Sequence, residues 1–175
     1  MFKPARLIVV MGVSGCGKST IGSALGLDLN VPFLDGDHYH TPEAVEKMRG
    51  GQPLTDEDRW PWFVRLTKEM KLAADQRGKA VTACSALKQA YRDYLTEQAG
   101  EAIAFIYLSG SMEIIAERQA DRPGHYMPAG LLDSQFATLE LPDDDENILS
   151  VSVDQPVETI VADTLAALSV QLETI

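Results

Sequence analysis

The segment Arg6-Leu7-Ile8-Val9-Val10-Met11 runs without a break into Gly12-Val13-Ser14-Gly15-Cys16-Gly17-Lys18-Ser19. The first six residues are almost wholly apolar, as in a strand buried on both faces. The next eight fit the pattern G-x-x-x-x-G-K-[ST] at every fixed position. Beyond them Ile21, Leu25 and Leu29 recur at helical spacing, which predicts a helix over 18–29. A strand, a glycine loop and a helix in that order are the setting of a phosphate-binding loop. Glycines let such a loop wrap with its N–H groups inward, and the helix that follows adds its positive dipole end. Gly12, Val13, Ser14, Gly15, Cys16 and Gly17 form the cradle on this reading. Lys18 is placed to reach the β- and γ-phosphates of ATP, and the Ser19 hydroxyl to ligate Mg²⁺. Thr20 either assists at the α-phosphate or props the helix. A plain glycine turn with an exposed lysine is the competing reading, and the flanking strand and helix argue against it.

Working outward, residues 31–35 read as a second strand. A helix over 42–50 is capped by Thr41 with Pro42 in its first turn, and a longer one over 56–76 is capped by Thr55 with Asp58 near its start. Residues 79–84, 102–108 and 147–153 read as further strands. Helices are expected over 87–98, 111–120, 130–139 and 157–172, with a loop at 121–130. Strands alternating with helices imply a parallel sheet covered on both faces. The expected fold is therefore a single α/β domain over 1–175, a three-layer α/β/α P-loop fold with a five-stranded parallel sheet. Its ligand site should lie beyond the carboxyl ends of the strands.

The chain has 175 residues, 45% of them apolar, enough for one real core. Fifteen Lys and Arg against 26 Asp and Glu give a formal net charge of −11, which argues against a nucleic-acid partner. A few Arg and Lys can still make a positive pocket for a small anion. Cys16 and Cys84 are the only cysteines, so no disulfide framework and no metal-binding CxxC pair exist. The short apolar run near the start turns straight into the glycine loop, unlike a signal peptide, and no stretch suggests a membrane span. A cytoplasmic protein is expected.

Further segments carry a resemblance. MGVSGCGKS, FLDGDHYH, EKMRGGQPLTDEDRWPW, CSALKQAYRDYL, FIYLSG, RQADRPGHYMP and VDQP, read together, resemble the bacterial-type gluconokinases. These sit beside shikimate kinase in the nucleoside-monophosphate-kinase-like group. Cys16 departs from the family, which often has Ser there, but it meets phosphate only through its backbone. The resemblance implies transfer of the γ-phosphoryl group of ATP, with Mg²⁺, to the terminal hydroxyl of D-gluconate. It also implies a mobile lid over about 118–130 and, as an expectation, a homodimer.

A kinase acting on a hydroxyl needs a carboxylate to orient it and take its proton. Asp37 follows a strand end and a glycine, and matches the second acidic position of the family's LDGD motif; a helix cap for 38–40 is its competing role. Asp35 is the candidate second group at Mg²⁺, with an exposed turn residue as the alternative. The resemblance places His40 at the border of the sugar pocket. Gluconate carries a carboxylate, which Arg binds through its planar fork. Arg49, Arg59 and Arg92 lie in the right segments, and Ser85 and Lys88 just beyond the third strand. Arg118 and Arg122 are the candidate lid clamps on the transferring phosphoryl group. Gln155 lies in the loop that borders adenine in related kinases, unless that loop only starts the last helix.

Two rival readings have a sequence signature. A kinase for shikimate or a nucleotide would share the loop, but the LDGDHYH and CSALK segments favour gluconate through the resemblance. A nucleotide-dependent switch of the small-GTPase kind needs an NKxD motif, and neither Asn30 nor Asn147 begins one. A structural domain with a vestigial loop is opposed by the intact Lys18-Ser19 pair.

Overall fold

The computed structural model describes residues 1–121 and 130–169. Residues 122–129 of the expected lid, Arg122 among them, and the end of the last predicted helix lie outside them. In chain order the elements are β1 (Leu7–Met11), α1 (Lys18–Leu29), β2 (Phe33–Asp35), a 3-10 turn (Gly36–Tyr39), α2 (Pro42–Arg49) and α3 (Asp56–Arg77). They continue with β3 (Ala80–Ala83), α4 (Gln89–Ala99), β4 (Ile103–Ser109), α5 (Met112–Ala120), α6 (Leu131–Thr138), β5 (Ile148–Ser152) and α7 (Val157–Ser169). The five strands form one sheet in the order β2-β3-β1-β4-β5, and every neighbouring pair is parallel.

β1 is central and fully buried because its side chains alternate between two cores. Leu7, Val9 and Met11 join Trp62, Phe63, Leu66 and Met70 of α3 and Tyr91 and Leu95 of α4. Ile8 and Val10 join Ile21 and Leu25 of α1 and Ile160, Val161 and Leu168 of α7. The three-layer architecture follows directly. Cys84 belongs to the first core and Cys16 to the second, on opposite faces of the sheet.

Most element ends fall where the sequence puts them. Thr41 Oγ1 accepts from Ala44 N–H to cap α2. Thr55 and Asp58 form a capping box at α3, and Lys47 Nζ donates to the same Asp58 at 2.7 Å. Lys47 first, then the Thr55 backbone, hold the Asp58 carboxyl down at about 2. The box therefore keeps its charge across the neutral range and loses it only as pH falls toward that value. Two starts differ by two residues. β2 starts at Phe33 rather than 31, since Asn30 takes a left-handed conformation and Val31 N–H returns to Gly26 O, closing α1. α4 starts at Gln89 rather than 87, since Ala86 sits at φ 44° in a tight turn after β3.

That turn explains a correction. Arg92, expected at the substrate, is 1% exposed and is spent inside the protein. Its Nε and Nη2 donate to both oxygens of Glu146, at 2.6 and 2.8 Å. Nη1 donates to Ala86 O and Leu87 O, and Nη2 also to Glu140 O. A guanidinium has five N–H donors, and all are committed here. Arg92 is thus a strut under the 85–88 turn, with no donor left for a ligand. Arg92→Ala would leave Glu146 without its partner and the turn carbonyls unsatisfied. The expected loss is about 3–5 kcal/mol of stability, read from urea unfolding; an unchanged unfolding midpoint would refute the strut.

Candidate active site

Gly12, Gly15 and Gly17 all have positive φ, which bends the loop between β1 and α1 into a cradle. At Gly15 the left-handed φ of 81° disfavours any side chain, and an added Cβ would also push aside the Gln119 amide that packs there. Gly12 N–H donates to Ser85 O, which ties the start of the cradle to the turn after β3. Lys18 Nζ donates to Val13 O at 3.0 Å, so the ammonium lies along the loop it would share with phosphate. A glycine-built loop, a helix start and a lysine together fit a triphosphate.

Beside the cradle stands Asp35, at the end of β2. Its Oδ2 accepts from Ser19 Oγ at 3.3 Å and its Oδ1 from Asp37 N–H at 3.1 Å. Ser19 and Asp35 thus offer adjacent hard oxygen donors. Among the described residues no group of three or more His, Cys, Asp or Glu could hold a metal. Mg²⁺ commonly uses one or two protein oxygens with phosphates and water, so the Ser19–Asp35 pair fits it. Asp35 also caps the 3-10 turn. The capping role weighed for Asp37 therefore falls to its neighbour, and the Asp37 side chain projects outward, 86% exposed. His40 Nε2 faces Asp37 Oδ1 at 3.8 Å, too long for a hydrogen bond and close enough for electrostatic attraction. The nearby His40 ring, followed by the charge of Lys18, keeps the Asp37 carboxyl below its usual range.

Across the first core a second cluster forms where α3 and α4 begin. Asp56 accepts from the Tyr91 hydroxyl, and its Oδ1 lies 3.3 Å from Lys88 Nζ. The Tyr91 hydroxyl first, then Lys88, hold the Asp56 carboxyl below the ordinary range. Lys88 and Arg59 both flank the Tyr91 ring, at 5.4 and 5.2 Å from its centre. Arg59 Nη1 donates to Leu54 O, and among the described residues it makes no ion pair. Two cations, the Tyr91 hydroxyl and the Asp56 carboxylate thus share one ring, and Asp56 already takes Lys88 and the hydroxyl, which leaves Arg59 as the cation of the cluster best placed to meet a further carboxylate. Ser85 occupies the adjoining turn, with its carbonyl on Gly12. Arg49 is exposed at the end of α2.

On the other flank, Arg118 Nη2 donates to Gln155 O at 2.8 Å. The Gln155 amide folds back onto Ser152 O and Asp163, which leaves its backbone as the group nearer the Arg118 side. Two residues that the sequence did not single out touch the cradle. Gln119 Nε2 donates to Ser14 O, and Ser14 N–H donates to Gln135 Oε1. They lie 105 and 121 positions from Ser14, and no local pattern marks them. Asp56 and Tyr91 were also passed over, although Asp56–Arg59 and Lys88–Tyr91 share i,i+3 spacing that could have paired them.

A parallel α/β sheet with an intact cradle, a metal-side serine and a nearby carboxylate defines a P-loop phosphotransferase. The shikimate kinase family model matches residues 14–164. Gluconokinase from Gluconobacter oxydans is 46% identical over 147 residues, covering 84% of this chain and 82% of that protein. Thermoresistant gluconokinase of Escherichia coli is 42% identical over 162 residues, 91% of each chain. The crystal structure of a gluconokinase from Sinorhizobium meliloti superposes with a TM-score of 0.84 at 45% identity, covering 97% of this chain and 94% of that one. The chain belongs to the gluconokinase family, within the shikimate-kinase-like P-loop kinases.

Burial pushes the Cys84 thiol up to about 12, and Cys16 is equally buried. Alkylation by iodoacetamide at pH 8 is expected to leave both thiols unmodified in the native protein and to modify both in urea, as read by mass spectrometry. Rapid native alkylation of Cys84 would contradict this.

Proposed function

We propose that the chain phosphorylates D-gluconate at its terminal hydroxyl, using ATP and Mg²⁺ in the cytoplasm, to give 6-phospho-D-gluconate. One observation carries the reading beyond family membership. A single carboxylate, Asp35, accepts from both the Ser19 hydroxyl and the Asp37 backbone. The metal-side donor and the candidate base are thereby held as neighbours at one end of the sheet.

The chemistry follows from that placement. The cradle N–H groups and Lys18 bind the β- and γ-phosphates. Ser19 and Asp35 would hold Mg²⁺, which neutralises charge on the phosphate oxygens when bound. The terminal hydroxyl oxygen of gluconate forms a bond to the γ-phosphorus as the bond from that phosphorus to the bridging oxygen of ADP breaks. The hydroxyl proton passes to Asp37, which its low acid range keeps ionised and ready to accept. Arg59, beside Lys88, receives the substrate carboxylate at the Tyr91 cluster, with Ser85 and Arg49 at the rim and His40 bordering the sugar hydroxyls. Arg118 and Arg122 clamp the transferring group, and the backbone at Gln155 borders adenine. A homodimer is part of the proposal by family likeness, and sedimentation velocity reads it directly.

The test is ADP release with Mg·ATP across gluconate, other sugar acids, shikimate and nucleoside monophosphates. Gluconate alone should support a strong rate; tight ATP binding with no acceptor-dependent rate would favour the switch reading. Asp37→Asn should retain ATP affinity and lose turnover by about 10²-fold or more. Near-wild-type turnover would remove Asp37 as the base. Arg59→Ala should raise the KM for gluconate and leave ATP affinity unchanged, whereas an unchanged gluconate KM would move the carboxylate seat elsewhere.

A further inference from the structure

The loop that carries Asp37 is held from two sides. Against the sheet, Gly36 approaches so closely that an added Cβ would stand 2.4 Å from Ala83 O. From the other side α3 grips the loop at three points. The buried Trp62 indole N–H donates to Gly36 O at 2.8 Å. The His40 ring stacks on Trp62, with centroids 4.0 Å apart and planes 26° from parallel. Arg65 Nη1 donates to His40 O at 3.1 Å.

The His40 side chain is only 7% exposed, yet its Nδ1 is buried with no hydrogen-bond partner among the described residues. No bond at Nδ1 therefore sets the plane of the ring. The stack on Trp62 sets it, and that plane turns Nε2 toward Asp37.

We infer that Trp62 is a positioning residue for phosphoryl transfer: it fixes the Gly36 carbonyl and the His40 ring, and through them the place of the Asp37 carboxylate. An exposed carboxylate on a short 3-10 turn would otherwise sample several rotamers. Proton acceptance demands placement within about 0.5 Å, and a shift of about 1 Å can cost 10²-fold in rate. The inference rests on Asp37 as the base of the proposed reaction.

The groups facing Asp37 are His38 and His40 on its own turn, Lys18 from α1, Asp35 from β2 and Cys84 from the end of β3. From α3, Arg65 reaches the His40 carbonyl.

The experiment compares the wild type with Trp62→Phe, which keeps an aromatic ring and removes the N–H. Kinetics are measured with gluconate and Mg·ATP at saturating and limiting substrate, beside thermal unfolding. Expected are a fall in kcat of about tenfold or more and an unchanged KM for ATP. A folded Trp62→Phe with wild-type kcat overturns the inference. If Trp62→Phe does not fold, Arg65→Met releases the His40 carbonyl from the surface. It should then lower kcat several-fold with the KM for ATP unchanged, and wild-type kinetics in that variant overturn the inference instead. Asp37→Asn separates the two levels. If it keeps wild-type turnover, the base assignment falls and the inference with it. If it is slow while Trp62→Phe matches the wild type, only the inference falls.

Discussion

The structure depends on one constraint: β1 lies in the middle of a wholly parallel sheet, buried on both faces. Parallel strands all end on the same side. The cradle after β1, the 3-10 turn after β2 and the 85–88 turn after β3 therefore rise from adjacent strand ends, and the Arg118–Gln155 contact joins the segments beyond β4 and β5. Neither core could form on one side alone. Each β1 residue supplies one face or the other, so the strand that presents the glycine loop is also the strand that joins the two halves of the interior.

Upon that frame a few polar groups set the local geometry. Asp35 ties α1 to the turn that carries Asp37, and Arg92 supports the turn that carries Ser85 and Lys88. These are buried or semi-buried charges whose hydrogen bonds are satisfied by neighbouring loops. Such groups contribute little net stability by comparison with apolar packing, but they leave few alternative loop conformations. Helix α3 has a double role. Its N-terminal turns present Asp56 and Arg59 to the Tyr91 cluster, and the next turn presents Trp62 and Arg65 to the Asp37 loop. One rigid rod thus spans the acceptor side, from the carboxylate seat to the candidate base.

A net charge of −11 coexists with anionic ligands because the positive groups are concentrated. Lys18 and a helix N-terminus face the phosphate cradle, while Arg59 and Lys88 flank one aromatic ring. Low dielectric at these partly buried places strengthens their field, whereas the acidic exterior is screened by solvent and salt.

The sequence by itself determined the parallel α/β class, the cradle and the caps of α2 and α3, because each is written in short-range patterns. Uninterrupted apolar runs mark doubly buried strands, glycines at fixed spacing mark the anion nest, and Thr41 and Thr55 mark helix starts. It also placed Asp35, Asp37, Arg59 and Lys88 in segments that do converge. Only the tertiary structure decided what each side chain is free to do. Arg92 and Arg59 look alike in sequence, yet one is buried with five donors spent and the other stands over Tyr91 without an ion pair. Asp35 and Asp37 are two residues apart, yet one caps the turn and the other projects from it. Gln119, Gln135 and Trp62 carried no local signal, because their partners lie tens of residues away. Such pairings follow from the packing of helices on the sheet, which no window of sequence contains.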